Sequence, residues 1–474
     1  MERTVGLDFG THQTKICVFE KEGTEKSYRF IKFNDSNDTL QYTLPSIVGI
    51  KNDGLIDYGY LPKNFKGKII RYFKQGVFKD PTTESMYHSI WYIAYIIFLL
   101  EEKYGMDFTI QMGAPTGSES NSINKAKRIA TQIIASAYNL VEEVYKNDLR
   151  AFLSTPIERL KKVTTIIEYS PEIKKELYLQ VFPEAYACLR PLVSNQRIET
   201  GMNLMVDIGG GTTDISFFTI EKKKDSKGKD TKEYEPQVYA YYSLDKGLNY
   251  LIGADETNTS TNYSKEVEQK KSNSSKQSNS LYGYVSSVGV KLLEALSIKE
   301  EQSKPKKLDS NVDDVSEIID KRKEQYFREI LAICNRLQTN LENLFIQQVT
   351  RTMGTSLQNL RNALQDRPIV YCGGGSTFKV LRKQYRGFVD KKHVSHSEWR
   401  TEIVVDMNEI REKKLCPILS TAYGLSIPST TDLIRMKSLS DLFKHLSTPA
   451  HTNPITTTSN DMYSNASTDW DTIK

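Results

Sequence analysis

"VDIGGGTTDI", residues 206–215, decides how this chain folds. A β-branched run ends on Asp207, three glycines and two threonines follow, and a second apolar run opens at Ile215. This is strand, acid, glycine turn, strand. A glycine turn leaves backbone N–H groups free to point at an anion and lets the backbone come close to it. Moving back 199 positions, "LDFGTHQTKI" at residues 7–16 shares the strand-end aspartate, the next glycine, a threonine and the closing isoleucine. Self-similarity across half a chain argues for two related half-domains. Two such turns facing each other can hold a polyphosphate from both sides. Asp8 and Asp207 would then face one place, where carboxylates suit a hydrated, octahedral Mg²⁺ that bridges phosphate oxygens. The chain contains no GxxxxGK[ST], which excludes a Walker-type phosphate loop.

The rest of the chain is consistent with an α/β protein. At 474 residues it is long enough for two to four domains or subdomains. Its 64 basic and 59 acidic residues leave a net charge of +5 in mixed-sign runs such as "EKKKDSKGKDTKE" at 221–233, so no nucleic-acid stripe is implied. The five cysteines, Cys17, Cys188, Cys334, Cys372 and Cys416, are scattered and form no CxxC, which reads as reduced and structural. The first residues lack a basic region followed by an apolar stretch, and the apolar run from Ile90 to Leu100 is too short to span a bilayer. A soluble, cytoplasmic protein without a membrane partner is expected.

Short strands are expected at Val5–Leu7, Ile16–Phe19, Tyr28–Phe33 and Ser46–Ile50, and a helix over 122–145. From about Asp255 to Asp314 the composition turns to Ser, Asn, Lys and Gln, which reads as a flexible insertion outside any site. A second polar tail, with one amphipathic piece at 432–446, is expected to be disordered and to dock on its own lobe or on a partner.

"GLDFGTHQTK" (6–15) and "MVDIGGGTTDIS" (205–216) resemble the first and second phosphate motifs of the actin-like ATPase superfamily. That superfamily contains actin, bacterial filament ATPases, sugar kinases and the 70-kDa heat-shock chaperones. "IVYCGGGSTF" (369–378) resembles its adenosine motif. Weaker similarities to the heat-shock branch fall at "LPSIVGIKNDGLIDYG" (44–59), "RYFKQG" (71–76), "FPEAYACL" (182–189), "SLDKGLNYLIG" (243–253) and "PILSTAYGLSI" (417–427), so the resemblance runs from about residue 3 to 428. It implies a two-lobed α/β fold of two ribonuclease H-like half-domains with ATP and Mg²⁺ in the cleft. The first lobe would occupy 1–200, the second 201–428 with the insertion, and the tail 429–474.

The roles that the resemblance implies fall on individual positions. Asp8 and Asp207 would hold Mg²⁺ through water. Gly10 and Thr11, with His12 and Gln13, would cradle the β-phosphate, and Gly209, Gly210, Gly211, Thr212 and Thr213 would approach the γ-phosphate. Lys74 would help place the attacking water or, with Lys66 and Lys68 nearby, be a solvated charge. Glu184 would orient that water or be a helix N-terminal acid favoured by the dipole. Gly374, Gly375 and Ser376 would lie under the adenosine. Asp214 is read as satisfying hairpin N–H groups, with a catalytic role the alternative.

Three features depart from the chaperones. His12 and Gln13 replace their hydroxyl and amide pair, the order Pro183–Glu184 is reversed, and Phe378 stands where an arginine stacks on adenine. A phenylalanine can also stack, which leaves ATP against GTP open. With only about forty polar residues after the resemblance ends, no peptide clamp is expected. The implied function is a slow ATPase acting as a nucleotide-dependent switch or chaperone-like factor with a protein partner. The alternatives are a filament-forming ATPase and a small-molecule kinase on the same fold.

Overall fold

The first thirty residues build an antiparallel meander of β1 (Glu2–Asp8), buried from Thr4 onwards, β2 (Gln13–Glu22) and the more exposed edge strand β3 (Glu25–Phe30). The computed structural model describes residues 2–35, 39–62, 64–105, 107–115, 120–167, 179–191, 201–224, 229–251, 311–350, 357, 369–377 and 415–429. Phe378, the amphipathic piece at 432–446 and the expected insertion up to residue 310 lie outside these. Residues 311–314, expected to belong to the insertion, instead open a long helix.

β3 stops at Phe30 rather than Phe33. The Ile31 N–H still reaches the Ile16 carbonyl, but the Phe33 N–H bonds the Gln41 carbonyl, which draws the chain off the sheet edge. β4 (Leu44–Pro45) pairs with the start of β2. β5 (Val48–Lys51), β6 (Ile56–Tyr58) and β7 (Gly67–Ile70) form a separate small sheet. The short helix α1 (Phe73–Lys79) leads to α2 (Thr83–Tyr104), whose first turn is closed by reciprocal Thr82 and Ser85 hydrogen bonds. The apolar run within α2 is core: Ile90 to Ala94, Ile96 to Phe98 and Leu100 are all buried.

β8 (Thr109–Ala114) then lies parallel to β1, and α3 (Ser120–Tyr138) runs into a π-turn at Asn139–Val144. This covers the expected 122–145 helix with a change of hydrogen-bond pattern near its end. After α4 (Leu149–Leu153) and α5 (Ile157–Ile166), β9 (Gln180–Pro183) pairs parallel to β8 and leads directly into α6 (Glu184–Ala187). The strand order of this sheet is β3-β2-β1-β8-β9.

The second half begins with a second antiparallel meander, β10 (Gly201–Ile208), β11 (Thr213–Lys224) and β12 (Asp230–Leu244). It is followed by α7 (Leu248–Leu251), α8 (Asn311–Phe345) and β13 (Ile369–Cys372), which lies parallel to β10. The order β12-β11-β10-β13 reproduces, with the same strand directions, the first four positions of the other sheet. Tyr326, Ile330, Leu337, Leu341 and Phe345 recur at helical spacing along α8 and close a core against Leu204, Val206, Ile215 and Phe217.

A separate core joins the two meanders. The helix α9 (Cys416–Ser426) and the end of α6 pack against Cys17 of β2, Met205 of β10, Phe218 of β11 and Val370 of β13. The approach is close enough to need glycine. A Cβ on Gly6 would lie 2.2 Å from the Ala422 carbonyl oxygen, and one on Gly424 1.7 Å from that of Ala187. Arg190 fastens the end of α9 by donating to the Gly424 and Pro428 carbonyls.

Candidate functional site

Both meanders end β-hairpin turns in the same region. In the first, Asp8 closes β1 opposite Lys15, whose Nζ lies 3.0 Å from Asp8 Oδ2. The intervening turn is held from behind. Ser46 Oγ donates to the Gly10 carbonyl at 2.7 Å, the Ser46 N–H bonds the His12 carbonyl, and the buried Thr14 hydroxyl meets Ser46 Oγ. Gly10 is required here because a Cβ would sit 2.2 Å from the Gln13 carbonyl oxygen.

In the second hairpin Asp207 stands opposite Asp214 and Ile208 opposite Thr213. The Gly209 N–H closes the turn on the Thr212 carbonyl, and the Gly209 carbonyl accepts from the N–H of Leu248 at the start of α7. Within the described residues the N–H groups of Thr11, Gly210 and Gly211 have no protein partner.

The two turns face each other. A Cβ on Gly210 would come within 2.1 Å of the His12 imidazole, and one on Gly211 would lie 3.4 Å from Thr11 Cγ2 and 3.8 Å from Gln75 Oε1. His12 also packs edge-on against Tyr72, with centroids 5.0 Å apart. Burial, with the positive charges of Lys15 and Arg71, lowers the His12 pKa to about 4, so the ring is neutral near pH 7.

Beside the turns lies a buried ion pair. Lys74 Nζ donates to Glu184 Oε1 at 2.6 Å, and Lys74 is only 6% exposed. Glu184 opens α6, and Gly113 on β8 leaves room for it, since a Cβ there would lie 2.8 Å from Glu184 Cγ. Burial raises the Glu184 pKa, Lys74 opposes the shift and Asp8 adds to it.

The carboxylates therefore share one field. Burial, then Asp214, Asp8 and Glu184, push Asp207 up to about 8. Asp214 rises to about 6, chiefly through burial, with hydrogen bonding from Ser243 and Tyr241 holding it down. Asp214 Oδ1 is buried without a partner among the described residues, so this oxygen does not bond the hairpin N–H groups, while the Ser243 and Tyr241 side chains bond the carboxylate. Among the described residues no three His, Cys, Asp or Glu side chains are arranged to bind a metal by themselves. The surplus of oxygen donors and of negative charge around Asp8 and Asp207 nevertheless fits a hard cation that keeps most of its water.

The third motif closes the same region from behind β10. Gly373 has φ 77°, and a Cβ there would lie 2.2 Å from Asp207 Oδ1. Space around the Gly374 Cβ position is open, while Gly375 packs on Ile208. The Ser376 hydroxyl donates to the Gly373 carbonyl at 2.7 Å, which commits it to shaping this turn. Thr213 is similarly committed: its hydroxyl donates to the Lys246 carbonyl and meets the Tyr326 hydroxyl at 2.6 Å, in a fully buried setting. Its part in any anion site would be through the backbone.

Sequence reasoning missed Lys15 and Gln75. Lys15 was legible, because hairpin register alone puts it opposite Asp8. Gln75 had no local signal, since its approach to Gly211 exists only once the two hairpins face each other.

No family model matches the chain, and no curated protein is similar to it in sequence. Among solved structures it is similar to the crystal structure of MreB 5 of Spiroplasma citri bound to AMPPNP. The identity is 14% over 53% of this chain and 55% of that one, with a TM-score of 0.27. The chain thus spans about half the length of that structure, and so loose a superposition carries no argument about fold or function. Among the described residues no helix is long and apolar enough to cross a membrane.

Proposed function

We propose that this chain is a Mg²⁺-dependent ATPase of the actin-like superfamily, built on two ribonuclease H-like half-domains, that works as a nucleotide-dependent switch. One observation carries the reading: two hairpins of equal register meet at the His12–Gly210 approach, with the N–H groups of Thr11, Gly210 and Gly211 unpartnered among the described residues, and Asp8, Asp207 and the Lys74–Glu184 pair belong to the same region.

In this reading the triphosphate lies between the turns. The N–H groups of Thr11, Gly210 and Gly211 donate to its oxygens, and Lys15 adds positive charge beside the first turn. Asp8 and Asp207 hold the hydrated Mg²⁺. That ion, when bound, neutralises charge on the phosphate oxygens. Glu184 accepts a hydrogen bond from the attacking water, and Lys74 fixes the carboxylate that does so. Gly373 and Gly374 keep the backbone low where the nucleoside would lie, and α6 and α9 transmit the angle between the halves.

Phosphate release from ATP in Mg²⁺ and in EDTA tests the proposal. Slow, Mg²⁺-dependent release that is lost in Glu184→Gln supports it. A chain that releases no phosphate and gains no thermal stability from ATP, ADP or GTP contradicts it. Sedimentation of the protein with ATP distinguishes a switch from a filament.

A further inference from the structure

The nucleotide reading uses Lys74 of α1, but the next residue, Gln75, reaches the second hairpin directly. Gln75 Oε1 would lie 3.8 Å from a Cβ on Gly211, the same position that Thr11 Cγ2 of the first turn approaches to 3.4 Å. One helical turn further on, Lys79 Nζ lies 2.7 Å from Asp245 Oδ2, just past the end of β12, whose Leu244 pairs with Thr213 of the second turn. An exposed ion pair of this kind adds little stability, but it records where the helix points. Gln75 and Lys79 share one face of α1, and that face is turned towards the second half.

The remainder of α1 fixes this orientation. Phe73, Lys74 and Val77 are buried, and the Phe73 ring packs on Phe9 and Tyr92. The chain enters the helix through Tyr72, a left-handed residue at φ 61° whose ring meets His12 edge-on. A non-glycine residue in that region is held there by its surroundings.

Among the described residues the Gln75 carboxamide has no hydrogen-bond partner, and neither has the N–H of Gly211 beside it. An amide carries donors and an acceptor on one plane, and turning its last bond exchanges them at the same place. Gln75 follows Lys74, which holds the carboxylate given to the attacking water in the proposed reaction, and itself faces the second turn. It is therefore flanked by the two features that this reaction sets on either side of a terminal phosphate.

We propose that Gln75 is a specificity-determining residue: its amide donates to a γ-phosphate oxygen and so makes the site favour a nucleoside triphosphate over the diphosphate. The inference rests on the nucleotide reading above. The amide brings no charge, so what it adds is a hydrogen bond that one nucleotide can accept and the other cannot.

The test is calorimetric titration of the full chain in Mg²⁺ with the non-hydrolysable triphosphate AMPPNP and, in parallel, with ADP. Gln75→Ala should weaken AMPPNP about tenfold and ADP about twofold at most. Gln75→Glu, which sets a negative charge against the phosphate, should weaken AMPPNP further and again spare ADP. Gln75→Lys keeps a donor and should retain most of the AMPPNP affinity. If Gln75→Ala does not fold, the other two variants decide. A residue that only supports the turn would move both nucleotides together. Equal losses for both, or an unaltered ratio in Gln75→Ala and Gln75→Glu, would overturn the proposal and leave the nucleotide reading standing. A wild type that binds neither nucleotide would overturn that reading and the proposal with it.

Discussion

The two hairpins share a backbone and differ in charge. At the same register position one pairs Asp8 with Lys15 and the other sets Asp207 against Asp214. In the first, an ammonium 3.0 Å away balances the carboxylate. In the second, two carboxylates face each other in a poorly hydrated place and both are pushed towards protonation, to about 8 and about 6. The same turn thus occurs once with its acid balanced by a lysine and once with its acid facing a second carboxylate.

The largest effect should come from removing the acid that both copies retain. Asp8→Asn and Asp207→Asn should each lower phosphate release by about 100-fold or more, and the double variant should be little worse than either, because groups that act on one ion are non-additive. Fully additive losses would mean that the hairpins work separately.

Charge swaps at the differing position should act in opposite directions on stability. Lys15→Met leaves Asp8 without its partner and should cost about 2–3 kcal/mol in denaturant unfolding. Asp214→Asn removes a like charge opposite Asp207 and should be neutral or stabilising by about 1 kcal/mol. Two losses of similar size would show that the second hairpin is already balanced in the protein.

The contact between the turns can be broken sterically. Gly210→Ala drives a methyl into the His12 ring and should destabilise the protein by about 1–2 kcal/mol. His12→Ala should restore most of that loss, and additive effects would place the two residues apart.

The smallest effect is on pH dependence. The folded-state pKa of His12, lowered to about 4 mainly by burial, lies below the unfolded value near 6.5. The unfolded chain therefore binds the proton first. Stability is present above pH 6.5 and is lost as the pH falls towards 4, by about 1 kcal/mol at pH 5.5. His88, lowered to about 4 by burial as well, contributes a similar slope, so His12→Gln should remove about half of it, and an unaltered slope would show an exposed ring.

The hairpins were legible because an acid at a strand end, a glycine turn and flanking apolar alternation are local signals. Mixed α/β character followed from short β-branched runs standing among longer segments of helical apolar spacing, such as 122–145. What stayed hidden depends on distant partners. The hydroxyl of Thr213, a residue expected near the γ-phosphate, meets Tyr326, 113 positions away, which no local signal announces. The start of α8 was lost because Asn311 to Asp314 share the polar composition of the stretch before them. The Lys74–Glu184 pair spans 110 positions and could be argued only from resemblance.

The central claim, that one nucleotide lies between the two hairpins, is tested most directly by isothermal titration of Mg·ATP into the wild-type protein, Asp8→Asn and Gly210→Ala. The account predicts one site per chain, loss of binding in EDTA, and weaker binding in both variants, although each alters only one hairpin. A variant that binds Mg·ATP as tightly as the wild type while the other does not would contradict it.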